Sequence, residues 1–192
     1  VLVIGAGNSA CDIAVESARL AGKVCLSMRS PQWFVPKFML GKPSDVTGAG
    51  LNFVPRRVKQ WLMTLMLRIT QGSYENYGLP VNQKPVLSHH PTMNSDLLDF
   101  IRHGRITPVP GVRRVDGDCV EFTDGSRRRF DRICACTGFW IKFPFFAPEL
   151  IDFQHAEKVP LYRKMIPDGI ANLYFIGLFQ PTGCIWPLAD YQ

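Results

Sequence analysis

A short glycine-containing motif near the start of the chain is the part of the sequence best suited to chemistry. It places Gly5, Gly7 and Ala10 in a Gly-x-Gly-x-x-Ala pattern directly after four apolar residues at positions 1–4. The apolar run predicts a buried parallel strand, and the glycines predict a tight turn into a helix that begins near Asn8. The first glycine permits the turn, the second lets the backbone approach a phosphate group, and Ala10 lets the helix pack closely on the strand. Because a helix N-terminus offers free N–H groups and a partial positive charge, the motif predicts a diphosphate-binding site.

The residues that follow the second predicted strand indicate which dinucleotide this site takes. An NAD site has a carboxylate there that binds the ribose hydroxyls, whereas this sequence reads Ser27-Met28-Arg29-Ser30 and has none. A guanidinium at Arg29 can pair with a ribose 2′-phosphate, and Ser27 or Ser30 can add a hydroxyl donor. The pattern therefore predicts NADP(H) rather than NAD(H). The alternative is that Arg29 is an ordinary surface residue.

The elements that must position these residues alternate as in an α/β protein. Strands are predicted at 1–4 and 23–28, on either side of a helix at 8–21 that Gly22 ends. This β-α-β unit is the mononucleotide-binding half of a Rossmann-like domain with a parallel sheet. A Pro- and Gly-rich helical insertion of about residues 30–104 follows, with one helix at 56–70 and another from Asn94 or Ser95 to His103.

Apolar residues recur at helical spacing along the helix predicted at 56–70. We expect this stripe to face the core rather than a cofactor or a membrane. Its members are Val58, Trp61, Leu62, Leu65 and Ile69.

Short strands dominate the chain after the insertion. Strands at 105–109, 112–116, 119–123 and 129–136, with turns at Gly117 and Gly125, predict a β-meander that returns to the sheet. Residues 133–136 are apolar throughout, which favours a central position for the last of these strands. Residues 173–177 are predicted as one more buried strand.

Composition excludes several classes of protein. The 192 residues carry a net charge of +6, and the densest basic run, Arg127–Arg129, follows an Asp124-Gly125 turn signal. We interpret that run as a solvated turn, because no nucleic-acid-binding motif accompanies it. No apolar run approaches the roughly 20 residues that span a bilayer. A cytoplasmic location is therefore expected, with membrane association through segments outside this sequence left open, as is a homodimer.

The residues outside the glycine motif offer no acid–base or metal constellation with standard spacing. His89 and His90 are adjacent, without a third ligand at a usual spacing, and we interpret them as part of a structural loop. The six cysteines form no Cys-x-x-Cys pair, which is typical of buried thiols in a reducing compartment. Neither a metal ion nor a redox dithiol is therefore expected.

Three segments taken together resemble the flavin-containing monooxygenases. Residues 5–10, Gly-Ala-Gly-Asn-Ser-Ala, resemble the NADPH-binding stretch of that family. Residues 131–139, Asp-Arg-Ile-Cys-Ala-Cys-Thr-Gly-Phe, resemble its Ala-Thr-Gly-Tyr segment, with Cys136 and Phe139 in place of the commoner Ala and Tyr. Residues 176–183, Ile-Gly-Leu-Phe-Gln-Pro-Thr-Gly, resemble a late strand and loop close to the flavin.

The resemblance implies an NADPH- and FAD-dependent monooxygenase. In that family NADPH reduces the flavin, the reduced flavin reacts with O2 to a C4a-hydroperoxide, and a soft nitrogen or sulfur nucleophile or a related small substrate takes one oxygen atom. The protein supplies orientation and a dry pocket rather than acid–base groups. This fits the lack of a catalytic triad, and no catalytic residue is assigned within the chain.

The resemblance also implies where the cofactors bind. The pyrophosphate would be held by Gly5, Ala6, Gly7, Asn8 and Ser9, and the 2′-phosphate by Arg29 with Ser27 or Ser30. The chain would cross between the two cofactor domains at Thr137 and Gly138, and the nicotinamide or flavin would lie near Gln180 and Pro181.

The expected organisation is an NADPH-binding domain at 1–138 and, at 139–192, an incomplete segment that leads back toward an FAD-binding domain. The FAD fingerprint and the catalytic Asn of the family are expected before Val1, so the chain is expected to be part of a longer protein. Two alternatives remain at this stage. One is a flavin disulfide reductase, against which the cysteine spacing argues, and the other is a stand-alone NADP-binding module.

Overall fold

The computed structural model describes residues 1–39, 41–50, 53–88, 90–153, 159–179, 181 and 185–192. Within them the chain divides into two compact units, Val1–Gly138 and Phe139–Gln192. The strands are β1 Leu2–Ile4, β2 Val24–Ser27, β3 Phe34–Val35, β4 Phe38–Met39, β5 Lys42–Pro43, β6 Thr92–Met93, β7 Ile106–Val109, β8 Val112–Asp116, β9 Cys119–Phe122, β10 Arg127–Arg129, β11 Ile133–Ala135, β12 Leu161–Tyr162 and β13 Ile166–Pro167. The helices are α1 Asn8–Leu20, α2 Ser44–Ala49, α3 Arg56–Gln71, α4 Leu97–Arg102 and α5 Trp186–Asp190, with one 3-10 turn at Tyr74–Tyr77.

A four-stranded parallel sheet forms the centre of the first unit. Its strands lie in the order β11-β1-β2-β7, with Leu2 opposite both Ile133 and Cys25. Numbered along the chain within this sheet, the order is 4-1-2-3, which read from the other edge is the 3-2-1-4 order of a Rossmann half. The predicted α/β fold with a parallel sheet is confirmed. Strand order reverses between β1 and β11, so the C-terminal ends of these two strands border the crevice in which such folds bind ligands.

The core of this unit is built from small and branched side chains between α1 and the sheet. The sheet contributes Val3 and Leu26, neither of which has any exposed surface. The buried face of α1 is Ala10, Cys11, Ala14, Val15 and Ala18. Small residues on this face let the helix lie close to the strands, so the turn that joins β1 to α1 has little freedom. Ile13 lies off this face and is 39% exposed.

Several predicted boundaries were wrong. Helix α1 ends at Leu20 with Ala21 as its C-cap, where the Ala21 N–H donates to Ser17, so Gly22 does not end the helix. The strand predicted at 129–136 is two strands, because β10 pairs with β9 in an antiparallel sheet while β11 pairs with β1. Strand β11 is an edge strand of the described sheet rather than a central one.

The β-meander is a separate sheet of the order β10-β9-β8, joined to the parallel sheet through β7 and β11. Its turn at Gly125 has a positive φ of 82°, and the hydroxyl and N–H of Ser126 donate to Asp124. These hydrogen bonds hold the pKa of the Asp124 carboxyl below its usual value. The basic run of β10 is exposed, and Arg127 pairs with Glu121 at 2.6 Å.

The second unit is organised around aromatic side chains rather than around a sheet. Phe153 and Phe175 are buried, and Phe143 contacts both, with centroid separations of 6.1 and 5.2 Å. The buried strand predicted at 173–177 was wrong, because residues 173–177 form no strand and Phe175 instead packs into this cluster from a loop. Among the described residues, no helix is both long enough and apolar enough to cross a membrane.

Helix α3 confirms the predicted helix but not its predicted inner face. The buried residues are Gln60, Met63 and Leu67, whereas Trp61 is 62% and Ile69 is 75% exposed. Val58 and Leu65 of the predicted stripe are exposed as well. The buried face of α3 is therefore the reverse of the predicted one, because Val35, Met39 and Val86 of the insertion pack against Met63 and Leu67.

This reversal predicts unequal effects of two matched truncations in α3. Leu67→Ala removes a side chain that is 1% exposed and should lower the free energy of unfolding by about 2–5 kcal/mol. Ile69→Ala removes a similar volume from a side chain that is 75% exposed and should change it by about 0.5 kcal/mol or less. Urea unfolding of the whole protein measures both. Equal losses would show that a further segment covers the Ile69 face.

Candidate functional site

The turn between β1 and α1 requires glycine at its first position. Gly5 has a φ of +140°, and a Cβ at this position would lie 2.3 Å from the carbonyl oxygen of Cys136. The chain is held there from both sides, since the Gly5 N–H donates to Ser27 of β2 and the Cys136 N–H donates to Ile4. The turn therefore lies between the ends of β2 and β11, at the switch point of the sheet.

The second glycine of the motif is not required by the protein itself. Gly7 has an ordinary φ of −82°, and a Cβ there would meet no protein atom within 4 Å. Neither backbone strain nor packing explains a glycine at this position, so the open space beside it is suited to a ligand that approaches the backbone. Ala10, in contrast, is fully buried, and its Cβ would lie 3.2 Å from a Cβ at Gly5.

The first turn of α1 offers hydrogen-bond donors next to that space. The first helical hydrogen bond runs from the Cys11 N–H to Gly7, and no side chain caps the helix. Within the described part of the chain the N–H groups of Asn8, Ser9 and Ala10 have no acceptor, and the first turn carries no acidic residue. Asn8 and Ser9 are exposed. This arrangement can bind a diphosphate through the backbone and the helix dipole.

The residues expected at a 2′-phosphate differ in their availability. Ser27 is 2% exposed, and its hydroxyl donates to the Pro110 carbonyl at 2.7 Å, so its proton is already committed within the protein. Arg29 and Ser30 are exposed, and the Arg29 guanidinium makes no ion pair or hydrogen bond with the described residues. Because the Arg29 backbone passes against Gly111, these two residues lie next to the β7–β8 connection.

The C-terminal end of β11 contributes the other border of the crevice. Thr137 and Gly138 follow Cys136 directly, are exposed, and end the first unit; Gly138 has a φ of 98°. The positive φ explains why a glycine is needed where the chain leaves the sheet. Residues of both sheet strands that flank the switch point thus lie beside the glycine turn.

The comparison with known protein families decides what kind of protein carries this crevice. The family described as flavin-binding monooxygenase-like matches the chain over residues 1–192. The chain belongs to this family.

Its curated relatives include the rat N-oxide-forming dimethylaniline monooxygenase 2, which is 34% identical over 202 residues. Human flavin-containing monooxygenase 5 is 33% identical over 201 residues. Both matches cover 100% of this chain and 37% of the relative, so the chain spans little more than a third of the length of these proteins.

Solved structures show the fold of this flavin-binding monooxygenase-like chain independently of sequence. FAD-bound OTEMO matches with a TM-score of 0.55 at 12% identity, over 71% of this chain and 38% of that one. Cyclohexanone monooxygenase bound to ε-caprolactone matches with a TM-score of 0.52 at 14% identity, over 72% and 39%. The Rossmann-like architecture is thus shared with flavin monooxygenases.

The cofactor contacts expected in the second unit of this family member are only partly described. Pro181 is half-buried, whereas Gln180 lies outside the described residues. The nicotinamide or flavin role of these two residues stays a prediction. His89, from the adjacent histidines, is also outside the described residues.

Sequence reasoning missed a set of polar residues that contact the glycine turn from the insertion. The Thr92 hydroxyl donates to the Ala6 carbonyl at 2.8 Å, and the Met93 N–H donates to Asn8 Oδ1 at 2.7 Å. The Asn94 side-chain amide donates to Asp12 Oδ1 at 2.9 Å. Asn94 was expected only as a helix cap, but the N-cap residue of α4 is Asp96; Asn94 Oδ1 nevertheless accepts from the Leu97 N–H.

The thiols near the turn are not poised for chemistry. Burial raises the pKa of the Cys11 thiol from 9.0 to about 12, with smaller contributions from Asp12 and Cys136, and burial also raises the pKa of Cys136. Thiolate is the reactive form, so neither is a nucleophile at neutral pH. Among the described residues all five cysteines are free, and no group of three or more ligating side chains could hold a metal ion.

The raised pKa predicts both the reactivity of Cys11 and a pH dependence. At pH 8, iodoacetamide should label the half-buried Cys119 of the native protein and leave the fully buried Cys11 unlabelled, as peptide mass spectrometry measures. As pH rises above about 9, the unfolded state loses this proton before the folded state does, so stability falls toward pH 12. Rapid labelling of Cys11 in the folded protein would contradict the burial that raises its pKa.

Proposed function

We propose that this chain is the NADPH-binding part of an FAD-dependent monooxygenase that transfers one oxygen atom from O2 to a small substrate. The observation that carries the proposal is the glycine turn at the switch point, with open space beside Gly7 and unpaired N–H groups in the first turn of α1. Membership of the flavin-binding monooxygenase-like family supports the flavin, which the remainder of the protein would bind. Relatives named as N-oxide-forming monooxygenases support a soft nitrogen nucleophile as the substrate.

Each residue of the crevice has a binding role in this proposal. The N–H groups of Asn8 and Ser9 donate to the diphosphate oxygens, while the absence of a Cβ at Gly7 lets those oxygens approach the backbone. Arg29 pairs with the 2′-phosphate and Ser30 adds a hydroxyl donor, whereas Ser27 is occupied by Pro110 and supports the strand end instead.

The reaction itself needs little from these side chains. When bound, NADPH supplies a hydride and the flavin supplies the chemistry with O2. The chain fixes the position of the dinucleotide: the turn holds its diphosphate, and the residues at the end of β2 hold its adenosine end. Thr137 and Gly138 form the opposite border of the crevice, and their small size leaves room for the dinucleotide.

The whole protein tests this proposal directly. Purified full-length protein should carry an absorbing flavin, oxidise NADPH faster than NADH, and consume oxygen in step with NADPH. A protein without flavin that still binds NADP+ would instead favour a stand-alone NADP-binding module. Reduction of a disulfide substrate without oxygen uptake would favour a disulfide reductase.

A further inference from the structure

The segment Thr92–Asn94, which we call the return segment, lies near the end of the long insertion and contacts the cofactor motif at Ala6 and Asn8 and helix α1 at Asp12. Its strand β6 pairs with β3, through hydrogen bonds from the Thr92 N–H to Trp33 and from the Asn94 N–H to Val35. The polar groups of this segment that are not used in the pairing with β3 form hydrogen bonds to the turn and to α1. Three successive residues thus each bind a different position between Ala6 and Asp12.

Two of the three residues that make these contacts, Thr92 and Asn94, are buried. Thr92 is 4% and Asn94 is 6% exposed. The Ala6 carbonyl, which lies between the two glycines of the motif, accepts from the Thr92 hydroxyl, and this bond orients the peptide unit that joins Ala6 to Gly7. The side-chain oxygen of Asn8 accepts from Met93, which holds the first residue of α1. Asn94 bridges onward, accepting from the first residue of α4 while donating to Asp12.

We propose that Thr92 and Asn94 are positioning residues for NADPH, and that the return segment couples the insertion to cofactor affinity. The hydroxyl of Thr92 sets the orientation of the Ala6–Gly7 peptide, and the Asn94 amide holds α1 so that its free N–H groups face the diphosphate. This inference rests on the proposed function of the glycine turn. It adds residues some 85 positions away in sequence, which no local motif contains.

Substitution of the Thr92 hydroxyl tests the positioning role in the full-length, FAD-loaded protein. Thr92→Val keeps the shape of the side chain and removes one neutral hydrogen bond, so the Kd for NADP+ and the KM for NADPH should rise about 3- to 10-fold. Because Thr92 does not touch reacting atoms, kcat at saturating NADPH and the flavin content should stay unchanged. Thr92→Ser, which restores a hydroxyl, should recover most of the lost affinity.

A second threonine of the insertion supplies the matched control. Thr64 donates its hydroxyl to the Gln60 carbonyl at 2.7 Å within α3 and does not contact the turn. Thr64→Val therefore removes the same kind of bond from the same insertion, and the Kd for NADP+ should not change. An equal rise of Kd in both variants would show that the Thr92 hydroxyl contributes only to the general stability of the insertion, and it would overturn the inference.

Hydrogen exchange of the unsubstituted protein provides a test that needs no variant to fold. If the return segment stabilises the binding-competent turn, NADP+ must stabilise the return segment in turn. Saturating NADP+ should therefore slow exchange of the Met93 amide, which bonds to Asn8. Binding of NADP+ without slower exchange there overturns the coupling alone, whereas a protein that binds no NADP+ at all overturns the proposed function.

Discussion

Gly7→Ala should abolish most NADPH binding without destabilising the protein. Gly5→Ala should both abolish NADPH binding and destabilise the protein. The Cβ of Gly7→Ala enters space that holds no protein atom within 4 Å, and its φ of −82° suits any residue. The loss of a favourable N-cap residue and the gain from a less flexible unfolded chain nearly offset one another, so the free energy of unfolding should change by less than about 1 kcal/mol. If the diphosphate lies against this backbone, the KM for NADPH should rise roughly 10- to 100-fold.

Gly5→Ala is the matched substitution, because it adds the same methyl group two residues away. Here the Cβ would lie 2.3 Å from the backbone oxygen of Cys136, at a φ of +140° that L residues rarely adopt. The strain should lower the free energy of unfolding by on the order of 3 kcal/mol or more. Urea unfolding and NADP+ titration of both variants separate fold from ligand. Unchanged NADPH affinity in Gly7→Ala would contradict a diphosphate at the turn.

The features that could be predicted from the sequence are those that local spacing controls. A strand, two glycines, a small residue and a helix within ten positions determine the turn, and they predicted its place at Gly5 and the start of α1. The turn at Gly125 followed from local chemistry in the same way. These features depend on contacts between residues close in sequence, where backbone geometry leaves few alternatives.

The features that could not be predicted depend on which surfaces meet in three dimensions. Periodicity shows that α3 is amphipathic but not that Met63 and Leu67, rather than Trp61 and Ile69, meet the rest of the insertion. An apolar run at 173–177 fits a strand equally well as a loop that places Phe175 in an aromatic cluster. Likewise, the sequence predicts a free hydroxyl donor at Ser27, but in the structure this hydroxyl donates to the Pro110 carbonyl.

The contacts of the return segment show the same limit at the candidate site. Thr92 follows a proline-rich stretch and carries no motif, yet it bonds to Ala6 across 86 positions. The motif thus predicts which groups bind the ligand, whereas the residues that we infer to hold those groups in place come from a distant part of the chain. The pairing of β6 with β3 anchors the return segment, and its hydrogen bonds to Ala6, Asn8 and Asp12 hold it against the turn and α1.

Removal of the Arg29 guanidinium should change the choice between the two nicotinamide cofactors. Arg29 lies exposed after β2, without an ion pair or hydrogen bond to the described residues, and only NADPH carries a phosphate that it can bind. A charge-assisted hydrogen bond contributes about 1.5–3 kcal/mol, so the KM for NADPH in Arg29→Ala should rise roughly 10- to 100-fold. The KM for NADH should stay within about twofold, because NADH has no group at that position.

The control for Arg29 is a second exposed arginine at the other end of the same sheet. Arg132 precedes β11, and its carbonyl accepts from the N–H of Leu2 at the start of β1, which places it at the amino-terminal edge. Arg132→Ala removes the same charge far from the switch point and should leave the ratio of KM values unchanged. Parallel losses for NADPH and NADH in Arg29→Ala would mean that Arg29 acts through general charge rather than through the 2′-phosphate. A loss for NADPH alone would instead show that the specificity depends on a single side chain that follows β2, rather than on the net charge of +6.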